Sequence, residues 1–266
     1  MNNTFELKRF GFVFKKLLFE KWLMLLGSFV LVALFTWFIY KATSGNQMLG
    51  EFMPQSESFG IGLAIGGMLW VTAGFSYFSN KTEGYNFLIF PASHFEKWLS
   101  VVLLLGLFII FYCSFFRILD AAYMAHFRNN LDTAMKPEQY KRLYDSAKVM
   151  PFLSDNLRYN YLIFFNITGA MAVGALYFNR MALIKTLFVC VGVFAGLEGL
   201  NKQLINTIFP LEMHTTVFWR TVHVASSDQF ISLPSPFDTL HLVFLNYLLP
   251  VALWLIALIR LREKEL

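Results

Sequence analysis

The chain has 266 residues, 57% of them hydrophobic, 18% aromatic and only 15% charged, where a soluble domain carries about 25% charged residues. Its formal net charge of +5 and its two cysteines, Cys113 and Cys190, both inside apolar runs, exclude a disulfide framework and a thiolate metal site. The basic residues flank apolar runs instead of forming a stripe with interleaved aromatics, which excludes a nucleic-acid surface, so lipid is the expected solvent for most of the chain.

Residues 3–21, "NTFELKRFGFVFKKLLFEK", begin with Asn3 and Glu6 at capping-box spacing, the signature of a helix start. Phe10, Val13, Phe14, Leu17 and Leu18 share one face, and Lys8, Arg9, Lys15 and Lys16 lie largely opposite. That pattern predicts an amphipathic helix in the plane of the membrane interface, its cations toward anionic headgroups. The first apolar run lacks a small-residue cleavage site and is expected to be retained.

Six runs reach the length of about 20 apolar residues that a spanning helix needs: about 22–40, 59–78, 98–116, 161–178, 182–200 and 242–259. The fourth and fifth are separated only by "NRM" and predict a tight hairpin. With the N-terminus inside, the short inner segments carry twelve Lys and Arg, and the one short outer loop, 41–58, carries only Lys41. Both termini are therefore expected on the cytoplasmic side.

Residues 79–97 fall on that same side. Ser79 and Asn80 stop the second span, "KTEGY" adds a charge pair and a glycine, and "NFLIF" is too short to cross anything. On this face the "NKT" sequon at Asn80 stays unmodified. Pro91 pushes Phe90 out of helical geometry. Ser93 and Glu96 then form S-x-x-E directly before the third run, predicting a capped helix whose first turn, with Lys97, stands in water. The aromatics Tyr85, Phe87 and Phe90 suggest a surface that something packs against.

The segment 120–160 is polar, and "KPEQYKRLYDSAKVM" within it reads as an exposed helix starting near Pro137. In 201–241, "LINTIFPLEM" is apolar, broken at Pro210 and too short to span, which predicts a re-entrant pair of short helices. His214, His223 and His241 occur here without i,i+4 spacing or paired carboxylates, so no metal site is assigned.

No H-E-x-x-H, G-x-S-x-G or Walker loop is present. The chain is read as a non-enzyme without a cofactor of its own, so ATP-driven work would need another subunit. Lys185 can snorkel to the headgroups, and Glu198 lies near Lys202 at a span end. Gly62 with Gly66, Ala170 with Gly174, and Gly192 with Gly196 have the small-xxx-small spacing that lets membrane helices approach closely.

The segment "NFLIFPASHFEKWLS" resembles the cytoplasmic element after the second span in type-2 permease subunits of ATP-binding-cassette (ABC) exporters, particularly the stand-alone permeases of Bacteroidetes-like bacteria. The family pattern is leucine-proline-alanine-serine followed by glutamate-lysine. Phe90 replaces the leucine, and Pro91, Ala92, Ser93, Glu96 and Lys97 match.

The resemblance implies an all-α polytopic inner-membrane protein: six spans, an interfacial N-terminal helix, a cytoplasmic coupling helix, an outer helical segment and a re-entrant loop before the last span. It also implies an ATPase partner carrying ATP and Mg, and a second permease subunit. Coupling contacts would come from Lys81, Glu83, Gly84, Tyr85, Phe87, Phe90, Pro91, Ser93, Glu96 and Lys97, flanked by the interfacial helix.

Overall fold

The computed structural model describes residues 5–44, 53–79, 91–131, 136–178, 180–208, 213–215, 221–224, 229–232 and 235–264. Every membrane-length element is a helix. The first, α1 (Leu7–Ser44), is one continuous helix of 38 residues, about 57 Å long at 1.5 Å per residue. A separate interfacial helix ending near residue 21 was expected. The helix runs straight through because the charged residues at the expected join find partners in helical geometry. Glu20 accepts from the Tyr77 hydroxyl at 2.8 Å, the Lys21 ammonium lies 4.7 Å from the centre of the Tyr77 ring, and Lys16 sits 3.9 Å from Glu20. The helix also starts later than the Asn3–Glu6 spacing predicts, and Asn3 lies outside the described residues.

Helix α2 (Met53–Gly74) ends in a 3-10 turn at Ser76–Ser79. It occupies the centre of the bundle, packed on α1, on α3 (His94–Asn129) and on α5 (Asp155–Tyr177). Between α3 and α5 lies the short α4 (Pro137–Ser146), with its proline in the first turn as expected. The α5–α6 hairpin turns at Met181, whose φ of 53° is left-handed, and α6 (Ala182–Ile208) follows.

The 201–241 segment differs from expectation. Helix α6 continues to Ile208, residues 209–212 of the expected re-entrant pair lie outside the described residues, and three short strands that were not predicted follow. They are β1 (Met213–Thr215), β2 (Thr221–Val224) and β3 (Gln229–Ser232), antiparallel in the order β1-β2-β3. Thr215, Thr221, Val222, Val224 and Ile231 are β-branched, and such side chains lose rotamer freedom in a helix and pack well on a pleated surface. Pro210 lies outside the described residues. The chain closes with α7 (Ser235–Val243), a π-helical turn at Phe244–Leu248 and α8 (Leu249–Lys264), which packs on α5.

Among the described residues, five helical segments are long and apolar enough to cross a membrane: Leu7–Thr43, His94–Asn129, Leu157–Tyr177, Ala182–Gln203 and Phe244–Lys264. This is a multi-pass membrane protein. Helix α2, the second expected span, is not among the five. Gln55, Ser56, Glu57 and Ser58 occupy its first turns, and its neighbours cover much of the rest. Phe59 on α2 is fully buried, ringed by Tyr112, Phe116, Phe152 and Tyr161 at centroid distances of 5.0–5.8 Å.

Candidate functional site

The described flanks of residues 80–90 both rest on the first turns of α1. On the α2 side the anchor is Tyr77, held by Glu20 and Lys21. On the α3 side it is the predicted capping box. The Glu96 amide donates to Ser93 Oγ at 3.2 Å, and the Ser93 amide donates to Glu96 Oε2 at 2.8 Å. The other carboxylate oxygen, Oε1, reaches out of its own helix. It accepts the Glu6 amide at 2.7 Å, and Arg9 Nη2 lies 3.5 Å away.

One carboxylate thus caps two helices: its own, and α1, whose first turn begins with Phe10 N–H donating to the Glu6 carbonyl at 3.0 Å. Negative charge at the N-termini of two helices suits both dipoles. The arrangement corrects an expectation, because Glu96 and Lys97 are buried, at 0% and 1% exposure, and do not stand in water. Burial is tolerable because the carboxylate has three donors around it, one cationic.

The apolar face of α1's first turns is likewise turned to protein and not to the bilayer. Val13 and Leu17 are buried in the core, with Phe14 and Leu18 packed against it. Phe10 stacks on Phe14 at 6.3 Å and lies 5.8 Å from Phe5, and Phe5 touches Phe95 of α3 edge-on at 6.2 Å. Lys8 and Lys15 are exposed, Lys16 half-buried. Of the residues assigned to coupling, Pro91 is exposed, and Lys81, Glu83, Gly84, Tyr85, Phe87 and Phe90 lie outside the described residues.

The opposite end of α3 carries a second buried carboxylate that sequence reasoning missed. Asp120 accepts the Tyr40 hydroxyl at 2.6 Å and the Gln55 amide at 2.8 Å on Oδ1, and the Met150 amide at 2.8 Å on Oδ2. Gln55 also donates to the Lys148 carbonyl at 3.1 Å, and Arg117 donates to the Met150 carbonyl at 2.8 Å. The end of α1, the start of α2 and the irregular run after α4 are thereby gathered on one side chain. The available signal was an aspartate lying just beyond an apolar run, in helical register with Arg117.

The small residues divide. A Cβ on Gly62 would meet Thr36 Oγ1 at 2.1 Å, on Gly66 the Phe108 ring at 2.1 Å, and on Gly174 Thr186 Oγ1 at 1.8 Å. Ala170 is half-buried, and its neighbour Gly169 makes the close approach, a Cβ there lying 2.9 Å from Leu253. At Gly192 and Gly196 a Cβ would meet nothing within 4 Å among the described residues, and only 6% of α6's most apolar stretch is buried.

Among the described residues no group of three His, Cys, Asp or Glu side chains is placed to hold a metal ion. His214 and His223 are backbone register partners across the β1–β2 pair. The geometry is that of a mechanical junction, two helix starts and a loop base tied by one carboxylate. No protein-family model matches the chain, and no curated protein or solved structure matches it either.

Proposed function

We propose that this chain is the membrane subunit of an ABC exporter of the type-2 permease class, lying in a bacterial inner membrane with both termini cytoplasmic. It pairs with a second permease subunit, identical or not, and with a separate ATPase that binds ATP and Mg. Helix α2 is the sixth span in this reading; its 22 residues reach about 33 Å at helical rise, enough for a hydrocarbon core of about 30 Å.

The observation that carries the reading is the mounting of the segment 80–90. Its base is tied to α1 on both sides, through Tyr77–Glu20 and through Ser93–Glu96–Glu6. A push on a segment mounted this way passes into α1, α2 and α3 as rigid bodies, which a coupling element requires. The quoted resemblance of "FPASHFEKW" supplies the identity of the partner. Substrate would be exposed alternately to the two sides as the partner binds and hydrolyses ATP. Lys81, Glu83, Tyr85, Phe87 and Phe90 would form the docking contact, and Lys8, Lys15 and Lys16 would flank it.

The test is co-purification of the chain with the ATPase encoded beside it, then ATPase assay after reconstitution in lipid. Tyr85→Ala and Glu83→Lys are expected to weaken the complex at least tenfold and to uncouple hydrolysis from the permease. Unchanged complex formation and unchanged hydrolysis would sink the assignment. A tight complex with a protein that hydrolyses no nucleotide would mark the chain as a scaffold docking through the same loop.

A further inference from the structure

A groove of about 720 Å³ runs between α3, α5 and α8 at membrane depth. Its walls are almost wholly apolar, with Val102, Ile109, Leu162, Phe165, Val251 and Leu255 along its length. At one end Trp98 and Trp254 meet edge-on at 6.0 Å. At the other, the π-helical turn presents Asn246 and Tyr247, and the exposed Arg158 guanidinium donates to the Tyr247 hydroxyl.

Gly106 lies in the groove wall, about a third of the way along α3. A Cβ there would meet nothing within 4 Å, although glycine inside a helix costs about 1 kcal/mol relative to alanine. At Gly62, Gly66 and Gly174 the missing side chain is explained by a neighbour that needs the room. At Gly106 no neighbour among the described residues takes the room, and unlike Gly192 and Gly196 it lines a groove, so the space there is open to an occupant from outside the chain.

Size and charge define that occupant. Trp98 to Ile109 on α3 spans about 16 Å at helical rise. An extended acyl chain covers that length, and the walls it would meet are apolar along nearly all of it. The mouth carries a cation and a hydroxyl, partners for an anionic headgroup.

The geometry points to a resident anionic phospholipid, one acyl chain lying along the groove toward Trp98 and Trp254 and its headgroup at Arg158 and Tyr247. This site does not depend on the transport reading. The lipid's tail replaces the missing side chain of Gly106 and completes the contact between α3 and α8.

Native mass spectrometry of the detergent-purified full chain, equilibrated with phosphatidylglycerol, tests this. The unaltered protein should keep one adduct under conditions that strip the rest. Gly106→Leu and Val251→Trp, which fill the groove from opposite walls, should each lower its occupancy about tenfold. Gly192→Leu, the same added bulk on the exposed face of α6, should leave it unchanged. Arg158→Ala should abolish the preference for phosphatidylglycerol over phosphatidylcholine.

In the unaltered protein, a diazirine on the acyl chain should label residues 102–109 or 250–255. Undiminished adducts in both filled variants, or labelling spread over all spans, would overturn the site. Retained headgroup preference in Arg158→Ala would overturn the anion assignment. A disulfide-linked dimer formed through Val251→Cys would show that a second copy occupies the groove.

Discussion

Helix α3 carries a buried carboxylate near each end, and the two solve the same problem differently. Glu96 and Asp120 are exposed by 0% and 1%, and each gathers three donors. At the Glu96 end the donors are two backbone amides at helix starts and the Arg9 guanidinium. At the Asp120 end they are a phenol, a side-chain amide and a backbone amide in a loop.

The two residues stand about 36 Å apart along the helix, more than a hydrocarbon core of about 30 Å. Each can therefore sit just outside the core, where burying a charge costs least. The two ends divide the work: at the Glu96 end a carboxylate is held by a cation and two helix starts, at the Asp120 end by neutral donors alone. Each end should fail in its own way.

The largest effect is expected from Asp120→Ala. It strands the Tyr40 hydroxyl, the Gln55 amide and the Met150 N–H in a buried site, at about 1–3 kcal/mol for each donor left unsatisfied. A drop of more than 3 kcal/mol in unfolding free energy, measured by chemical denaturation in mixed micelles, is the expected outcome. A loss under 1 kcal/mol would mean that water reaches the stranded donors and the cluster is not closed.

Glu96→Gln should cost about 1–2 kcal/mol, since the amide still accepts one or two of the same donors but no longer pairs Arg9. Its distinguishing readout is local. Hydrogen exchange at residues 7–12 should accelerate strongly while residues 36–42 stay protected. Acceleration at both ends would break the division between them.

Tyr40→Phe removes one hydrogen bond from a neutral donor to the Asp120 carboxylate and leaves it two others, so about 1.5 kcal/mol is expected. With no cation removed, that loss should be nearly indifferent to ionic strength. A destabilisation that shrinks as salt is added would place a cation in the Asp120 cluster and erase the contrast.

Much of the helical framework is legible in the sequence. The apolar runs locate the spans, Ser93 and Glu96 mark a helix start to the residue, and Pro137 marks another, because these signals are local. The fate of Glu96 and Asp120 is not legible in the same way. Their decisive partners lie 90 residues away at Glu6, and 80 and 65 away at Tyr40 and Gln55. A charged residue beside an apolar run reads as a water-facing end until those partners are known.

The continuity of α1 was hidden for the same reason, since Tyr77 makes Glu20 and Lys21 acceptable inside a helix. Glycine spacing, too, marks a close approach only when a neighbour is there to make it. Gly62 and Gly66 meet Thr36, Tyr112 and Phe108, while Gly192 and Gly196 have the same spacing on a bare face.

The unbroken length of α1 has a mechanical consequence. It runs in the same direction as α3, pinned at Glu6 and Arg9 to Glu96 and again at Tyr40 to Asp120. Two rods pinned at both ends cannot slip along one another unless both pins break at once. They can tilt together, so α1 and α3 behave as one braced unit between the two carboxylates.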